Sequence, residues 1–317
     1  SLPFVTEAWQ IYALVFLLQS ASATFTPAFQ AVIPSVLPDE DDYTQALSLS
    51  RLAYDLEALL SPTIAAALLT VISYHNLFVG TVIGFVVSSL LVLWARMPRI
   101  EIPPPAPFFE RLTRGTKEFW AARELRALMA LNLVVAMSSA MVLVNTVVLV
   151  RGEVGMSQAD VAILLSSYGA GSMMVALAVP RLLTRLPDRR VMLAGGLTLP
   201  LLLLGGAATI AWSAGGARWT ALLAMWFLLG AATSAVLTPS SRLLRRHSTE
   251  QNRPAIFAAQ FSLSHACFLA AYPLAGTGGA ALGLPGIALL LASIAAVGAG
   301  VALLAFRRAA TRVPLRV

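Results

Sequence analysis

Apolar runs of about 20 residues recur along the whole sequence, and they constrain the fold more than any other feature. A helix needs about 20 apolar residues to cross a bilayer, and continuous runs of this length form helices rather than barrel strands. With 58% hydrophobic and 12% charged residues, the chain holds more apolar side chain than a water-soluble core can bury. The sequence therefore predicts an all-α integral membrane protein.

The runs predict nine membrane-crossing helices. They cover Ala8 to Leu37, Ala46 to Ser73, Phe78 to Leu93, Leu125 to Val150, Val161 to Val179, Val191 to Trp212, Ala221 to Thr238, Ala255 to Ala275 and Gly283 to Phe306.

An internal repeat relates Phe16 to Ala66 with Trp226 to Gly276. In both segments a helix with a Thr-Pro step leads through a polar loop into a helix that carries a proline near its middle. The two segments are offset by 211 to 214 residues, and two halves built on one plan are typical of duplicated membrane transporters. The matching positions are Thr26-Pro27 with Thr238-Pro239, Ser48-Leu49-Ser50 with Ser262-Leu263-Ser264, and Pro62 with Pro273.

The repeat also predicts how the chain is divided. Because its first and second spans match the seventh and eighth, three further spans are expected before Ser1, so the chain would carry helices four to twelve of twelve. We expect residues 1–97 to be the rest of the N-terminal half, residues 98–124 a cytoplasmic linker, and residues 125–317 the C-terminal half with a cytoplasmic tail. Such a chain alone should not transport, because the helix that completes the central cavity would be absent.

Basic residues lie almost entirely on one side of the predicted membrane. Although the net charge of +7 could suggest nucleic acid, 20 of the 22 Lys and Arg residues fall at segments predicted to share one side, leaving only Arg151 and Arg218 opposite. This distribution follows the positive-inside rule. It predicts a cytoplasmic C-terminus and no nucleic-acid partner.

The linker is expected to contain an amphipathic helix. Pro103 to Pro105 interrupt any helix before it. The helix would lie on the inner membrane surface, and the alternative is a solvated tether. Its apolar residues are Phe108, Phe109, Leu112, Phe119 and Trp120, and its basic residues are Arg111, Arg114 and Lys117.

Polar residues form stripes on three of the predicted spans. Polar atoms in hydrocarbon are costly, so they usually face a cavity or another helix. We predict that these stripes wall a water-filled substrate path, and the alternative is ordinary hydrogen bonding between helices. The predicted path residues are Gln19, Thr26, Gln30, Asn132, Asn145, Ser234 and Thr238.

Charged residues enter the second predicted span at Arg51, Asp55 and Glu57. Arg51 and Asp55 are four residues apart and can pair along a helix. The apolar run that follows them is about 16 residues, slightly short of a crossing, which places the two carboxylates near the cytoplasmic boundary. A charge network that opens and closes an inner gate is the preferred interpretation, with a proton-coupling carboxylate or a solvated helix end as alternatives.

His265 is a further candidate for coupling, because a histidine inside a membrane can titrate near neutral pH. The alternative is a hydrogen bond to a neighbouring helix. Pro62 and Pro273 interrupt backbone hydrogen bonds and should allow their helices to bend. Gly169, Gly171, Gly195 and Gly196 are expected at close helix contacts. The single cysteine, Cys267, lies inside a span and supports neither a disulfide nor a multi-cysteine metal site.

These features resemble the major facilitator superfamily. The segment Phe25 to Pro34, Phe-Thr-Pro-Ala-Phe-Gln-Ala-Val-Ile-Pro, is similar to the helix-four signature of the branch that holds macrolide efflux pumps and the enterobactin exporter. Two segments depart from family patterns. Ser61 and Ala66 replace the glycines of an antiporter motif around Pro62, and the loop Thr184 to Arg190 has threonine and proline at the Asp and Gly places of the D-R-x-G-R-R loop.

The resemblance implies a secondary transporter of the bacterial inner membrane that expels amphipathic organic compounds or drugs in exchange for protons. Its partners would be the lipid bilayer, a small organic substrate and protons. Lipid or metabolite export is an alternative, as is a non-transporting receptor or scaffold. Enzyme motifs and metal-ligand spacings are absent from the sequence, so we expect neither an enzyme nor a cofactor.

Overall fold

The computed structural model describes residues 7–68, 71, 74–94, 107–212 and 215–310, and no strand occurs among them. The predicted all-α fold class is therefore confirmed. The helices are α1 (Ala8–Val36), α2 (Glu40–Leu68), α3 (Tyr74–Trp94), α4 (Phe108–Ala121), α5 (Arg123–Val147, continued by the π-helical Val148–Glu153), α6 (Gln158–Leu183), α7 (Asp188–Trp212), α8 (Gly215–Arg246) and α9 (Arg253–Ala310).

Local side chains fix where two of these helices begin. The Asp39 carboxylate accepts hydrogen bonds from the backbone N–H groups of Asp41 (2.9 Å) and Asp42 (3.0 Å) at the start of α2. At the start of α6, the Asp160 carboxylate accepts a hydrogen bond from the backbone N–H of Ser157 (2.9 Å). Such caps satisfy N–H groups that have no partner inside the helix.

Helix α9 is a continuous helical path of 58 residues that bends at Gly283. Gly283 has φ +71°, a left-handed conformation that glycine adopts without steric cost. The bend separates a first limb, 253–282, from a second limb, 284–310. The two predicted spans from Ala255 and from Gly283 fall one on each limb.

Six helices in the described part are long and apolar enough to cross a membrane. The last of them has 57 residues, about 85 Å of helix at 1.5 Å per residue, which is enough for two crossings. Each of the nine predicted spans overlaps a helix of the described part, and the number of crossings stays a prediction. The six are Trp9–Val36, Arg123–Glu153, Gln158–Leu183, Asp188–Ala211, Gly215–Arg246 and Arg253–Ala309, and a shorter apolar helix covers Val79–Trp94.

The packed core lies in the bundle of α5 to α9. Leu128, Met141, Trp226 and Phe257 are buried there, where α5 packs against α9, and α8 packs against α6 and α7. By contrast, α1 and α3 expose many large apolar side chains, including Trp94 at 85%. An apolar surface of this extent suits contact with lipid or with other apolar helices.

The contacts between the repeated segments are reciprocal. According to the repeat, α1 corresponds to α8, and α2 corresponds to the first limb of α9. In the structure α1 packs against α9, and α2 packs against α8. Each copy's first helix thus contacts the other copy's second helix, as expected for two units related by a pseudo-two-fold axis.

Helix α4 is the predicted amphipathic linker helix, but part of its apolar face is covered by protein. Phe119 is fully buried, and Gly115 lies so close to α9 that a Cβ there would be 2.1 Å from the Ala255 carbonyl oxygen. Phe109 and Trp120 remain exposed. Phe119 thus faces protein, and the location of the remaining apolar face on the membrane surface stays a prediction. Pro103 to Pro105, and the side chains of Phe108, Arg111 and Leu112, lie outside the described part.

The segments predicted to share one side of the membrane meet at one end of the bundle, which we call the basic end. Here α1 and α8 finish and α2, α5 and α9 begin. Contacts that join these segments are His247 Nε2 to Glu124 Oε2 (2.8 Å), Asn252 Nδ2 to Glu118 Oε2 (2.7 Å), and Arg123 Nη1 to the Arg308 carbonyl oxygen (3.4 Å).

Candidate functional site

Four charged side chains from α2, α7 and α8 form an ionic cluster at the basic end: Glu40, Asp188, Arg242 and Arg246. Arg242 lies 2.6 Å from Glu40 Oε1 and 3.3 Å from Asp188 Oδ1. Arg246 lies 2.5 Å from Glu40 Oε1 and 2.6 Å from Asp188 Oδ2. Each arginine thus bridges both carboxylates. The cluster fastens the start of α2 to the start of α7 and the end of α8.

Helix geometry places these four groups together. Arg242 and Arg246 are one turn apart on the last part of α8, while Glu40 and Asp188 are the first residues of α2 and α7. Cations at helix C-termini and anions at helix N-termini are favoured by the helix dipoles. The side chains of Arg242 and Asp188 are 8% and 2% exposed, so water and salt screen this pair only weakly.

A second set of contacts holds the turn between α1 and α2 against the same arginine-rich region. The Arg245 guanidinium carbon lies 5.0 Å from the centre of the buried Tyr43 ring, and Arg245 also donates to the Pro38 carbonyl oxygen. Arg253 donates to Ser35 Oγ at 3.2 Å. Cation–π contact and charge-assisted hydrogen bonds therefore support the ionic cluster.

The ionic cluster predicts an acid-sensitive contribution from Glu40. The hydrogen bond from Arg246 lowers the pKa of Glu40 below its ordinary value of 4.5. A carboxylate with a lowered pKa in the folded state stabilises the protein above its ordinary pKa, and this stabilisation is lost as the pH falls through the folded-state value. We expect Glu40→Gln to lower the unfolding temperature at neutral pH, and this loss to shrink below pH 4.5.

Thermal unfolding of the purified protein across this pH range measures the effect. Asp42→Asn is the matched control, because Asp42 lies in the same first turn of α2 with an exposed side chain. An equal loss for both variants at every pH would contradict the assignment.

The ionic cluster was not predicted from the sequence, and neither was a role for His247. A local signal was present in the two arginines one turn apart at a span end, and in the acidic first turn of α2. The partners themselves could not be inferred, because Glu40 and Arg242 are separated by 202 residues. Their contact depends on which helix ends meet.

Arg51 and Asp55 form the ion pair that their spacing predicted. Arg51 Nη2 lies 3.2 Å from Asp55 Oδ1. The Arg51 guanidinium also donates to Ser172 Oγ on α6, from Nε at 3.1 Å and from Nη2 at 3.0 Å. The pair therefore connects α2 to α6. Glu57, the third predicted member of this group, has an exposed side chain and lies outside the contact.

The pair lies away from the ends of its helices. Asp55 is near the middle of α2, which runs from Glu40 to Leu68, because the Asp39 cap starts the helix six residues before the predicted Ala46. Ser172 lies near the middle of α6. The location of Asp55 near the cytoplasmic boundary of the membrane stays a prediction.

The predicted path residues fall into two groups. Gln19 on α1 is exposed, and Thr26 and Gln30 are partly exposed. Four residues of α5 and α8 are buried, at 5% exposure or less: Asn132, Asn145, Ser234 and Thr238.

Hydrogen bonds account for most of the buried group. Asn145 Nδ2 donates to the Ala275 carbonyl oxygen on α9 (3.3 Å). This is a hydrogen bond between helices, the alternative to a role in lining a substrate path. The Ser234 and Thr238 hydroxyls contact each other at 3.2 Å. Asn132 Nδ2 is buried and has no hydrogen-bond partner among the described residues. Lining of a path by these residues remains a prediction.

His265 lies on the exposed side of α9 within an aromatic row. Its Nδ1 is 2.8 Å from the Phe261 carbonyl oxygen of the same helix, and its ring stacks on the Phe261 ring at 4.0 Å between centroids. Pro273 lies inside the first limb of α9, and Pro62 lies inside α2, while the side chain of Pro62 is outside the described part. The coupling and bending roles of these residues stay predictions.

Within the described ranges, no group of three or more His, Cys, Asp and Glu side chains could hold a metal ion.

Comparison with known proteins gives the chain's relatives. A sequence model described as Major Facilitator Superfamily matches residues 1–198 and residues 128–316. Macrolide efflux protein A of Enterococcus faecalis is 29% identical over 92 residues, which are 29% of this chain and 28% of that protein. The protein of the same name from Streptococcus pyogenes is 28% identical over 92 residues, covering 29% of this chain and 22% of that protein.

A longer match is the uncharacterized MFS-type transporter YfiS of Bacillus subtilis (strain 168). It is 23% identical over 249 residues, which are 76% of this chain and 58% of that protein. The chain thus spans less than a third of the macrolide efflux proteins that it matches. Because the two matches to the family together run from residue 1 to residue 316, the chain belongs to the Major Facilitator Superfamily.

Proposed function

We propose that this chain acts in a secondary active transporter that exports amphipathic organic compounds in exchange for protons, by alternating access. In this mechanism two helical halves rock about a central site and expose it to one side at a time. The observation that carries the proposal is the ionic cluster. It joins α2 to α7 and α8 at one end of the bundle, as a gate must.

The two halves in this proposal are residues 1–97 and 125–317, with 98–124 as the linker between them. The reciprocal packing of α1 on α9 and of α2 on α8 supports this division. Under it, Glu40 belongs to one half, while the other three members of the ionic cluster belong to the other. The ionic cluster would then hold the halves together at the basic end.

The orientation follows from charge. Segments rich in Lys and Arg stay in the cytoplasm, so we place the basic end and the C-terminus there, in a multi-pass protein of the bacterial inner membrane. The ionic cluster is then an inner gate in its closed state. Opening it requires Arg242 and Arg246 to leave Glu40, and the central path would open to the cytoplasm.

The proposed substrate class rests on the relatives named macrolide efflux protein A and on the polar stripes in otherwise apolar helices. Gln19, Asn132, Asn145 and Ser234 are the proposed polar contacts along the path. A few polar groups among apolar walls suit a ligand that is itself largely apolar.

Transport by the full-length protein in everted membrane vesicles tests this function. With an acidic lumen, we expect accumulation of macrolides or other amphipathic compounds several-fold above vesicles that lack the protein, and a protonophore should abolish it. If no compound of a broad panel moves, the efflux proposal is wrong. Movement of a fluorescent lipid in the same vesicles would then indicate lipid export, and movement of neither would indicate a receptor or scaffold.

A further inference from the structure

A partly buried arginine, Arg51, lies between α2 and α6, at a contact that we call the seam. The Arg51 guanidinium binds Asp55 on its own helix and, through two N–H groups, the fully buried Ser172 hydroxyl on the facing helix. Asp55 is 8% exposed. One guanidinium therefore links the two helices, and its counter-charge comes from a single carboxylate.

The seam group lies far from both ends of α2. Asp55 is 15 residues after Glu40 and 13 residues before Leu68, which places it about 22 Å and 20 Å from the two ends at 1.5 Å per residue. Ser172, the hydrogen-bond partner of Arg51, lies near the middle of α6, a helix that is long and apolar enough to cross a membrane. Charged side chains inside a membrane are costly unless they are paired.

The pairing of Asp55 is incomplete. Its Oδ1 faces Arg51, while its Oδ2 is buried and has no hydrogen-bond partner among the described residues. The Ser48 hydroxyl, two turns earlier on α2, is buried and unpartnered in the same way. A buried carboxylate oxygen without a donor carries a desolvation cost, and binding of a proton removes that cost.

The surroundings of Asp55 offer one strong electrostatic partner. On α2 this is Arg51, since Glu57 has an exposed side chain. On α6 the Ser172 hydroxyl faces the seam, and Tyr168 lies one turn before Ser172. On α8, which also packs against α2, the nearest cation in the contacts is Arg242, which is engaged by Glu40 and Thr44 nearer the basic end.

We propose that Asp55 is the proton-binding residue of this protein, and that its protonation opens the seam between α2 and α6. This inference rests on the proposed function and names the residue that couples protons to it. A proton from water adds to Oδ2, and the carboxylate becomes a neutral carboxylic acid. Arg51 keeps its charge, loses its counter-ion and leaves Ser172 for water, because an unpaired guanidinium is unfavourable in a partly buried site.

Distance measurements between spin labels test the structural step in the full-length protein. Labels at Tyr54→Cys on α2 and Met174→Cys on α6 suit this purpose, because both side chains are exposed, with Cys267→Ala removing the native thiol. We expect the distance to lengthen reversibly as the pH falls. In Asp55→Asn it should be long at every pH, and in the matched variant Glu57→Gln it should follow the unsubstituted protein.

If the distance between the labels does not change with pH in the protein that keeps Asp55, the proposal is wrong. This test does not require that Asp55→Asn folds. A pH response that persists in Asp55→Asn would overturn it as well.

Transport separates this inference from the proposed function. Asp55→Asn should exchange labelled for unlabelled substrate across vesicles with no gradient, and it should lose accumulation driven by a proton gradient. If the variant still accumulates substrate, Asp55 does not couple protons, although the export function stands. If the unsubstituted protein moves no substrate, the export function fails, while the distance response to pH still reports on Asp55.

Discussion

Gly171→Ala is expected to force α6 away from α8 and to destabilise the bundle by about 3 kcal/mol, the upper end for an overpacked core. A Cβ at Gly171 would lie 1.8 Å from the Phe227 carbonyl oxygen of α8, and a Cβ at Gly230 on α8 would lie 1.9 Å from the Tyr168 carbonyl oxygen of α6. These contacts are with backbone atoms. A rotamer change cannot relieve them, so one helix must move as a whole.

The thermal unfolding midpoint of the purified protein measures this loss. Gly206→Ala and Gly300→Ala are matched controls, because a Cβ at either position has no neighbouring atom within 4 Å. We expect both controls to unfold close to the unsubstituted protein. An unchanged midpoint in Gly171→Ala would show that α6 and α8 are not held at this distance.

The same glycines show what the sequence could predict about helix packing. Gly169, Gly171, Gly195 and Gly196 were predicted at close contacts. Like Gly171, the last two have close neighbours: a Cβ would lie 2.5 Å from the Ala232 carbonyl oxygen at Gly195 and 2.3 Å from Leu131 Cδ2 at Gly196. Helices in membranes approach closely where small residues face each other, so a small residue within an apolar run is informative. Such a residue does not show which helix is the partner, because several helices carry small residues.

Local patterns predicted the elements well. The second limb of α9 follows Gly283, where a predicted span began, and the Arg51–Asp55 pair follows its spacing of four residues. Periodicity and apolar length act within one helix, so they can be read from one segment. The start of α2 was missed, since the helix begins after its Asp39 cap rather than at the first residue of the apolar run.

Contacts between distant segments were not predictable in this way. The burial of Phe119 against α9 and the bonds of the ionic cluster depend on how helices pack, which a single sequence pattern does not specify. Asn145 illustrates the same limit for the predicted path. Its polarity inside a span was correctly singled out, but only the structure shows the bond to Ala275 on α9.

Arg242→Gln is expected to weaken the closed state at the basic end by roughly 2 to 3 kcal/mol, which is a shift of about 30- to 150-fold in the equilibrium between closed and open forms. The estimate rests on the buried contact that crosses to α2, where Arg242 donates to the Thr44 hydroxyl, because a hydrogen bond to a charged group is worth about 1.5 to 3 kcal/mol. Loss of the bond to Glu40 adds less, because that side chain is 52% exposed and well screened.

Spin labels at Asp42→Cys on α2 and Arg190→Cys on α7, both exposed in the structure and introduced together with Cys267→Ala, report on this separation. Arg242→Gln should shift the distance distribution towards longer values. Arg185→Gln, which removes an exposed arginine from the connection between α6 and α7, should leave it unchanged. Similar distributions for both variants would show that the ionic cluster does not hold the halves together.

A double-mutant cycle identifies the bond responsible. If Arg242 acts through Glu40 as well as Thr44, Glu40→Gln should shift the distribution less in the Arg242→Gln background than alone, with a coupling of about 0.5 to 3 kcal/mol expected for side chains in contact. Additive shifts would mean that the two residues act independently. Glu40 would then hold α2 through Arg246, which lies 2.5 Å from it, and not through Arg242.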